Sequence, residues 1–386
     1  MMLFDLVKIY LKIKTKDWEK GKMRLNKIKI VGYKSIENLD LQLSDLNLLI
    51  GANGSGKTNF ISIFKLLNQM IEGRFQLAVG KGGGASSFLH YGAKRTKKIE
   101  VELKFGQNGY SCEWEPTKDD TLIFAKEVTE FYGHGQNSTP YYDIGVSGHK
   151  ESAVLKLAQD KEHRVTKHTL EGLKSWRVYH FHDTSDEAPM KLRCQINDND
   201  YLRYNASNLA AYLYFLKVMY EPHYLQIRDT IRLVAPFFDD FILRPISDNP
   251  SMIQLEWKEK NSDFPFLAHH LSDGTLRFIC LTTVLLQPRL PDMILIDEPE
   301  LGLHPYAINV LASLLKSASH RTQIIVSTQS VPLISLFEPD DLLIVNREWG
   351  KTKIERCDQE KLKDWLEDYS LGQLWEMNLL GGRPSR

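Results

Sequence analysis

The residues of this 386-residue chain that could do chemistry lie in three short stretches. The first, Gly51-Ala52-Asn53-Gly54-Ser55-Gly56-Lys57-Thr58, fits the pattern G-x-x-x-x-G-K-[ST] in full. Glycines at this spacing let backbone N–H groups curl around a β-phosphate at the positive end of the helix that follows. In such a loop Lys57 pairs with the β- and γ-phosphates, and the Thr58 hydroxyl ligates Mg²⁺. The candidate contacts to ATP and Mg²⁺ are therefore Asn53, Gly54, Ser55, Gly56, Lys57, Thr58 and Asn59. A glycine-rich turn that happens to carry Lys-Thr is the plain alternative. The context argues against it, because a short buried strand over 47–50 precedes the loop. Helical spacing of Phe60, Ile61, Phe64, Leu67 and Met70 follows.

The second stretch, Met293-Ile294-Leu295-Ile296-Asp297-Glu298, is an apolar run ending in two carboxylates. Such a run reads as a strand buried in a parallel sheet, whose carboxyl end is where ligands bind in open α/β sheets. Asp297 there would hold the Mg²⁺ hydration shell, and Glu298 would polarise an attacking water. Taken alone, an acidic turn before Pro299 would look the same. The third stretch, Leu271-Ser272-Asp273-Gly274-Thr275, opens a helix with Ser272 as N-cap and Asp273 in the favourable first turn. Capping by itself accounts for these residue types.

The elements that must position these residues alternate along the chain. The periodicity predicts strands over 25–31, 39–43, 47–50, 99–105, 110–114 and 121–128, with a helix over 57–70. A flexible loop is expected at Gly80 to Gly84 and another loop over 143–150. Helices follow over 205–220 and 223–234, strands over 241–244 and 252–257, and a helix over 274–286. The chain closes with strand 293–296, helix 306–317, strands 322–327, 342–346 and 353–356, and helix 360–369. This is an α/β pattern of the P-loop type. It has a parallel core sheet, an N-terminal antiparallel β subdomain and an inserted α/β middle lobe. The expected division is an extension over 1–23, a first head segment over 24–97 and an inserted lobe over 98–265. A second head segment over 266–346 and a tail over 347–386 complete it.

Composition sets the outer limits. Lys plus Arg and Asp plus Glu both number 49, so the formal charge is zero, unlike proteins coated in positive potential. At 42% hydrophobic and 25% charged residues the chain reads as globular rather than disordered. No apolar run has membrane-spanning length, and the apolar start is broken by Asp5, Lys8 and Lys12 without a small-residue cleavage site. Cytoplasmic localisation and no membrane association are the expectation. The four cysteines are scattered, which suggests neither a zinc cluster nor a disulfide framework.

Taken in order, these motifs resemble an ATPase of the ABC class. In that family an L-S-G-G-like turn presents its serine and backbone N–H groups to the γ-phosphate held by the other protomer. The resemblance gives that role to Ser272, Asp273 and Gly274 and implies a homodimer. Asp273 stands where many members have glycine, and Thr275 where transporters have glutamine. Gly302-Leu303-His304-Pro305 corresponds to the dimer-facing D-loop. Gln329, in Ser327-Thr328-Gln329-Ser330, falls where most members carry a histidine that senses the γ-phosphate. A glutamine can donate a hydrogen bond there but cannot become charged; an ordinary loop or cap amide is the equal alternative.

The opening over 24–36 resembles that of RecF, SMC and OLD heads, and the close from Trp365 to Gly372 and Leu379 to Gly382 resembles that of compact ATPases of this branch. The gap between Lys57 and Ser272 shows no sustained heptad repeat and is too short for an SMC coiled coil. Too little chain follows Ser330 for the OLD nuclease domain. His182, with Asp183 beside it, lies where related heads place a glutamine that reaches Mg²⁺. The alternative is that His180 and His182 merely flank one core aromatic on a strand face. A metal site built on the two lacks an obvious third ligand.

Weaker signals remain. The basic stretch Lys94-Arg95-Thr96-Lys97-Lys98 could contact phosphates of DNA or RNA, although a solvated edge explains it better. His269 and His270 decide nothing, and Trp365, Tyr369 and Trp375 read as packing on the head. The resemblance implies an ATPase with Glu298, Lys57 and Gln329 in catalysis and Thr58, Asp297 and His182 at the metal. Its role would be nucleic-acid sensing in anti-phage defence or repair, or ATP-gated restraint of a separately encoded toxin or nuclease effector. A transporter motor fits least, given the motif spacing.

Overall fold

The computed structural model describes residues 23–133, 141–144 and 147–381, so the expected extension before Met23 and Gly382 lie outside it. Strand β1 (Lys27–Tyr33) buries every second residue and turns back at Lys34, whose φ is 47°, into β2 (Ile36–Gln42). Strand β3 (Leu46–Ile50) is buried at all five positions and runs through the phosphate-loop sequence into α1 (Lys57–Ile71). Two short helices follow, α2 (Phe75–Lys81) and α3 (Ala85–Phe88). The expected glycine loop is therefore shorter than read, since Gly80 belongs to α2. Gly83 and Gly84, both at positive φ, form the turn.

Strands β4 (Ile99–Phe105), β5 (Asn108–Pro116), β6 (Leu122–Phe131) and β7 (Tyr141–Ile144) then extend the first hairpin into one antiparallel sheet of order β2-β1-β4-β5-β6-β7. Residues Tyr141 to Ile144 pair with β6. This corrects the expectation of a loop from 143, because cross-strand pairing supplies what local pattern lacked.

Helices α4 (Val154–Leu157) and α5 (Arg164–Lys174) lead to β8 (Trp176–Tyr179). Between β8 and the 273–286 helix lie α6 (Leu209–Met219), α7 (Glu221–Val234) and the short strands β9 (Cys194–Gln195) to β14 (Phe266–Leu267). The expected strand 252–257 is two strands, ending at Ile253 and restarting at Glu256 in separate sheets. The chain closes with α8 (Asp273–Leu286), β15 (Met293–Asp297), α9 (Pro305–Ser319), β16 (Gln323–Thr328), α10 (Val331–Ile334), β17 (Leu342–Glu348), β18 (Lys351–Arg356), α11 (Gln359–Leu366) and α12 (Leu371–Glu376).

The core sheet has the order β18-β17-β3-β16-β15-β8 and is parallel except for the β17–β18 hairpin. Residues 98–265, read as an inserted lobe, thus supply strands to both large sheets.

Burial on both faces explains the apolar runs Leu48–Ile50 in β3, Met293–Ile296 in β15 and Ile324–Val326 in β16. Leu49, Met293, Leu295 and Ile325 pack with α1 and the antiparallel sheet. Leu48, Ile50, Ile294, Ile296, Ile324 and Val326 pack on the opposite face with α6 to α9. Helix α1 is thereby clamped between two sheets by Phe60, Phe64 and Leu67. Trp176, fully buried, touches Phe64 and Phe105, each at 5.5 Å between ring centroids, and so joins all three layers. Among the described residues no helix is long and apolar enough to cross a membrane. Trp176→Ala should lower the unfolding free energy by about 3–5 kcal/mol in urea titrations, and Trp176→Phe by clearly less. Equal midpoints for wild type and the alanine variant would refute the joining role.

Candidate nucleotide site

Parallel strands bring their carboxyl ends to one side of a sheet, and four of them meet here. β3 runs into Gly51, β15 into Glu298, β16 into Gln329 and β8 into His180. The loop 51–56 is shaped by Gly54 at φ 78° and Gly56 at φ 115°, conformations that cost a residue with a Cβ. At Gly56 a Cβ would also collide with Thr352 of β18. A chain of hydrogen bonds braces the loop from behind. Asn59 Nδ2 donates to Ser35 Oγ (2.7 Å), Ser35 Oγ is 2.7 Å from Thr352 Oγ1, and Thr352 Oγ1 donates to the Ser55 carbonyl at 2.9 Å. Asn59, expected among the nucleotide contacts, has its amide committed to this brace. Arg347 adds a bond from Nη1 to the Gly54 carbonyl at 3.1 Å.

Lys57 is 6% exposed, and its Nζ donates to the carbonyls of Gly51 (2.6 Å) and Ala52 (3.2 Å). Burial pulls its pKa below the usual lysine range, opposed by the charges of Glu298, Asp297 and Glu300. The acidic strand therefore acts on the loop cation. Asn53, Gly54 and Thr58 are exposed at the mouth.

Asp297 is buried and accepts a hydrogen bond from Ser327 Oγ of the neighbouring strand. Glu298, at the left-handed φ of 43°, is held by its N–H bond to the Ser327 carbonyl (2.9 Å). Gln329 Nε2 donates to Glu298 Oε1 at 2.7 Å, so the two expected catalytic side chains meet directly. His182 Nε2 lies 2.9 Å from the Asp297 carbonyl, and its ring is 4.0 Å from that of His180. A carbonyl only accepts, so this Nε2 carries the proton. The strand before it ends at Tyr179, earlier than expected, because pairing with β15 stops at Ile296.

Ser272 caps α8, its Oγ accepting from Thr275 N–H at 3.2 Å, and both it and Asp273 are exposed. Among the described residues no hydrogen bond joins this turn to Gly51–Thr58. Gly274 instead packs against the 302–305 turn so closely that a Cβ would collide with the Gly302 carbonyl.

Sequence reasoning missed three residues. Arg277 donates to the carbonyls of Phe181 (3.0 Å), His182 (2.8 Å) and Leu301 (2.8 Å), tying α8 to two site segments. Its signal was present: past Asp273 it is the only charged residue of α8. Glu300, bonded by Thr328 Oγ1, has its pKa raised by burial. Thr352 had no local signal.

The arrangement fits a nucleoside triphosphate with a divalent ion. The loop is held in left-handed glycine geometry, and the buried Ser55 hydroxyl has no hydrogen-bond partner among the described residues. A lysine and carboxylates converge beside it.

A family model described as "AAA domain, putative AbiEii toxin, Type IV TA system" matches residues 46–336. An Smc head solved with the C-winged helix domain of ScpA is similar in structure, with a TM-score of 0.53 and 16% identity over 88% of this chain and 99% of that one. An Smc head with an extended coiled coil, bound to the C-terminal domain of ScpA derived from Pyrococcus furiosus, gives a TM-score of 0.51 and 15% identity over 89% and 98%. Such identities speak for the fold alone, an ABC-type P-loop head. No curated protein matches the chain.

A lowered lysine pKa has a definite sign for binding: the ammonium is lost at lower pH than in a free lysine. Nucleotide affinity should hold near neutrality and fall before the pH reaches about 10.4, the free-lysine value. Titrations at stepped pH check this, and an affinity flat up to that value would remove Lys57 from the phosphate contacts.

Proposed function

The chain belongs to this AAA-domain family, and on that premise we propose that it hydrolyses ATP as a nucleotide-driven homodimer. The observation that carries the reading is the 2.7 Å bond between Gln329 and Glu298, made where Asp297 and Glu298 also act on the buried Lys57. ATP is the substrate held by Gly51–Thr58, with Lys57 against its terminal phosphates. Thr58 and Asp297, with His182 beside them, would hold Mg²⁺, which supplies charge neutralisation for the transferring phosphoryl group. Glu298 accepts the proton of the attacking water, and the Gln329 amide fixes the orientation of that carboxylate.

The Ser272–Gly274 turn, exposed at Ser272 and Asp273, has no hydrogen bond to its own loop among the described residues, which suits a site completed by a second copy. Two ATP would then lie between Gly51–Thr58 of one protomer and Ser272–Gly274 of its partner. Contacts made only in the ATP state would drive closure, because a ligand shifts a conformational equilibrium only through differential affinity.

The cellular role we propose is nucleic-acid sensing in the cytoplasm as part of anti-phage defence. The family description, a putative toxin of a toxin–antitoxin system, supports a defence setting. Control of a separate effector protein is the second reading, favoured by the similar heads having been solved with ScpA domains bound. A repair ATPase is the more distant alternative.

Lys57→Ala should lose ATP binding by calorimetry. Glu298→Gln should bind ATP, stop turning it over and accumulate as a dimer in light scattering. Hydrolysis at the wild-type rate in Glu298→Gln would sink the catalytic assignment. Arg277→Lys keeps the charge but not the three-carbonyl fork. It should leave ATP affinity nearly intact and slow turnover by about tenfold to a hundredfold, through misplacement of the groups it holds. A loss confined to affinity would contradict that role.

A further inference from the structure

A second concave site lies outside the nucleotide site. A groove of about 670 Å³ runs between α1, the end of α5, the edge strand β8 of the core sheet, and residues 201–204. Its walls carry Lys65, Lys174, Arg177 and Arg203 together with Tyr201 and Tyr204. Arg203 is matched by Asp198 at 2.7 Å. Arg74 and Glu72, also in the lining, match each other. Lys65, Lys174 and Arg177 make no ion pair among the described residues, so three cations stand unneutralised along one groove of a chain whose net charge is zero.

The aromatic groups are arranged with them. The guanidinium groups of Arg177 and Arg203 lie over the Tyr201 ring at 4.6 and 4.8 Å, and Arg203 Nη1 donates to the Tyr201 hydroxyl at 2.6 Å. Arg177 is fixed further by bonds to the carbonyls of Lys174 (2.6 Å) and Trp176 (2.9 Å). Tyr204 is 65% exposed, although its carbonyl is anchored by the His180 N–H at 2.9 Å. An anchored backbone under an exposed ring is a platform with a free face.

We propose that this groove binds single-stranded nucleic acid, with Lys65, Lys174 and Arg177 on phosphates and Tyr204 stacked on a base. Cations that follow a backbone, with interleaved aromatic faces, are what sequence-tolerant strand binding requires. An acidic peptide would use the cations and leave Tyr204 without a counterpart. A duplex hides its base faces in its own stack, so the ring would gain nothing there. The basic run Lys94–Lys98 is a poorer candidate, since Lys98 is spent on Glu100 (2.7 Å) and Glu113 (2.9 Å). The groove also adjoins the nucleotide side, because His180 lines it and contacts His182, which is bonded to the Asp297 carbonyl. The inference rests on the sensing role proposed above and names where the sensed ligand sits.

The test is fluorescence anisotropy of a short labelled oligothymidylate with the full chain over a salt series, against a duplex of equal length. Wild type should prefer the single strand. The triple variant Lys65→Glu, Lys174→Glu, Arg177→Glu should bind far more weakly, with a log–log salt slope shallower by about two, since each lost cation contributes about 0.7. Tyr204→Ala should weaken binding by about tenfold, and Tyr204→Phe should restore it. Tighter binding of the duplex, or unchanged affinity in the triple variant, overturns the proposal. ATP binding by the same preparations separates the two readings. ATP bound without strand binding leaves the ATPase standing and removes the groove, whereas strand binding without ATP binding removes the ATPase and keeps the groove.

Discussion

The ammonium of Lys57 is nearly withdrawn from water, and the rest of the head is arranged around that fact. A buried charge costs several kcal/mol unless carbonyls and counter-charges replace its hydration. Here the carbonyls come from the loop itself, and the counter-charges come from the far end of β15, brought alongside by the parallel order β3-β16-β15. The apolar sandwich of two sheets around α1 thus has an electrostatic purpose. It fixes the distance between a cation at a helix start and carboxylates at a strand end. Those carboxylates are then committed in turn, Asp297 to Ser327 and Glu298 to Gln329.

Gln329 gives this constellation a character that a histidine would not. Its amide donates at every pH, so its bond to Glu298 does not depend on a proton being present. An imidazole in that place would couple the orientation of the carboxylate to its own titration near neutrality. The amide gives up that sensitivity and keeps the geometry.

The legible part of the molecule was the part whose physics is local or doubly buried. The loop 51–58 announced itself through its glycines, and β3 and β15 through the apolar runs Leu48–Ile50 and Met293–Ile296. Ser272 was legible through capping, which needs only its own turn. What escaped was set by distant partners. Helix α5 carries a largely polar sequence, and its apolar stripe has meaning only against α1 and β6. β7 exists because β6 is beside it. The three carbonyls gripped by Arg277 sit on segments that no period connects. The groove gathers Lys65, Lys174, Arg177 and Arg203, none of which stands out in sequence as Lys94 to Lys98 does.

The contact between Gly56 and Thr352 reaches beyond mechanics. Because no side chain fits at 56 while Thr352 is in place, the two positions cannot drift independently. The same hydroxyl also supports the Ser55 carbonyl and meets Ser35. The β17–β18 hairpin is therefore not an interchangeable ornament on the sheet. A lineage that replaced it by recombination would have to re-tailor the loop and the β1–β2 turn in the same event. Change at either position should accordingly be answered at the other, however far the hairpin lies from the loop along the chain.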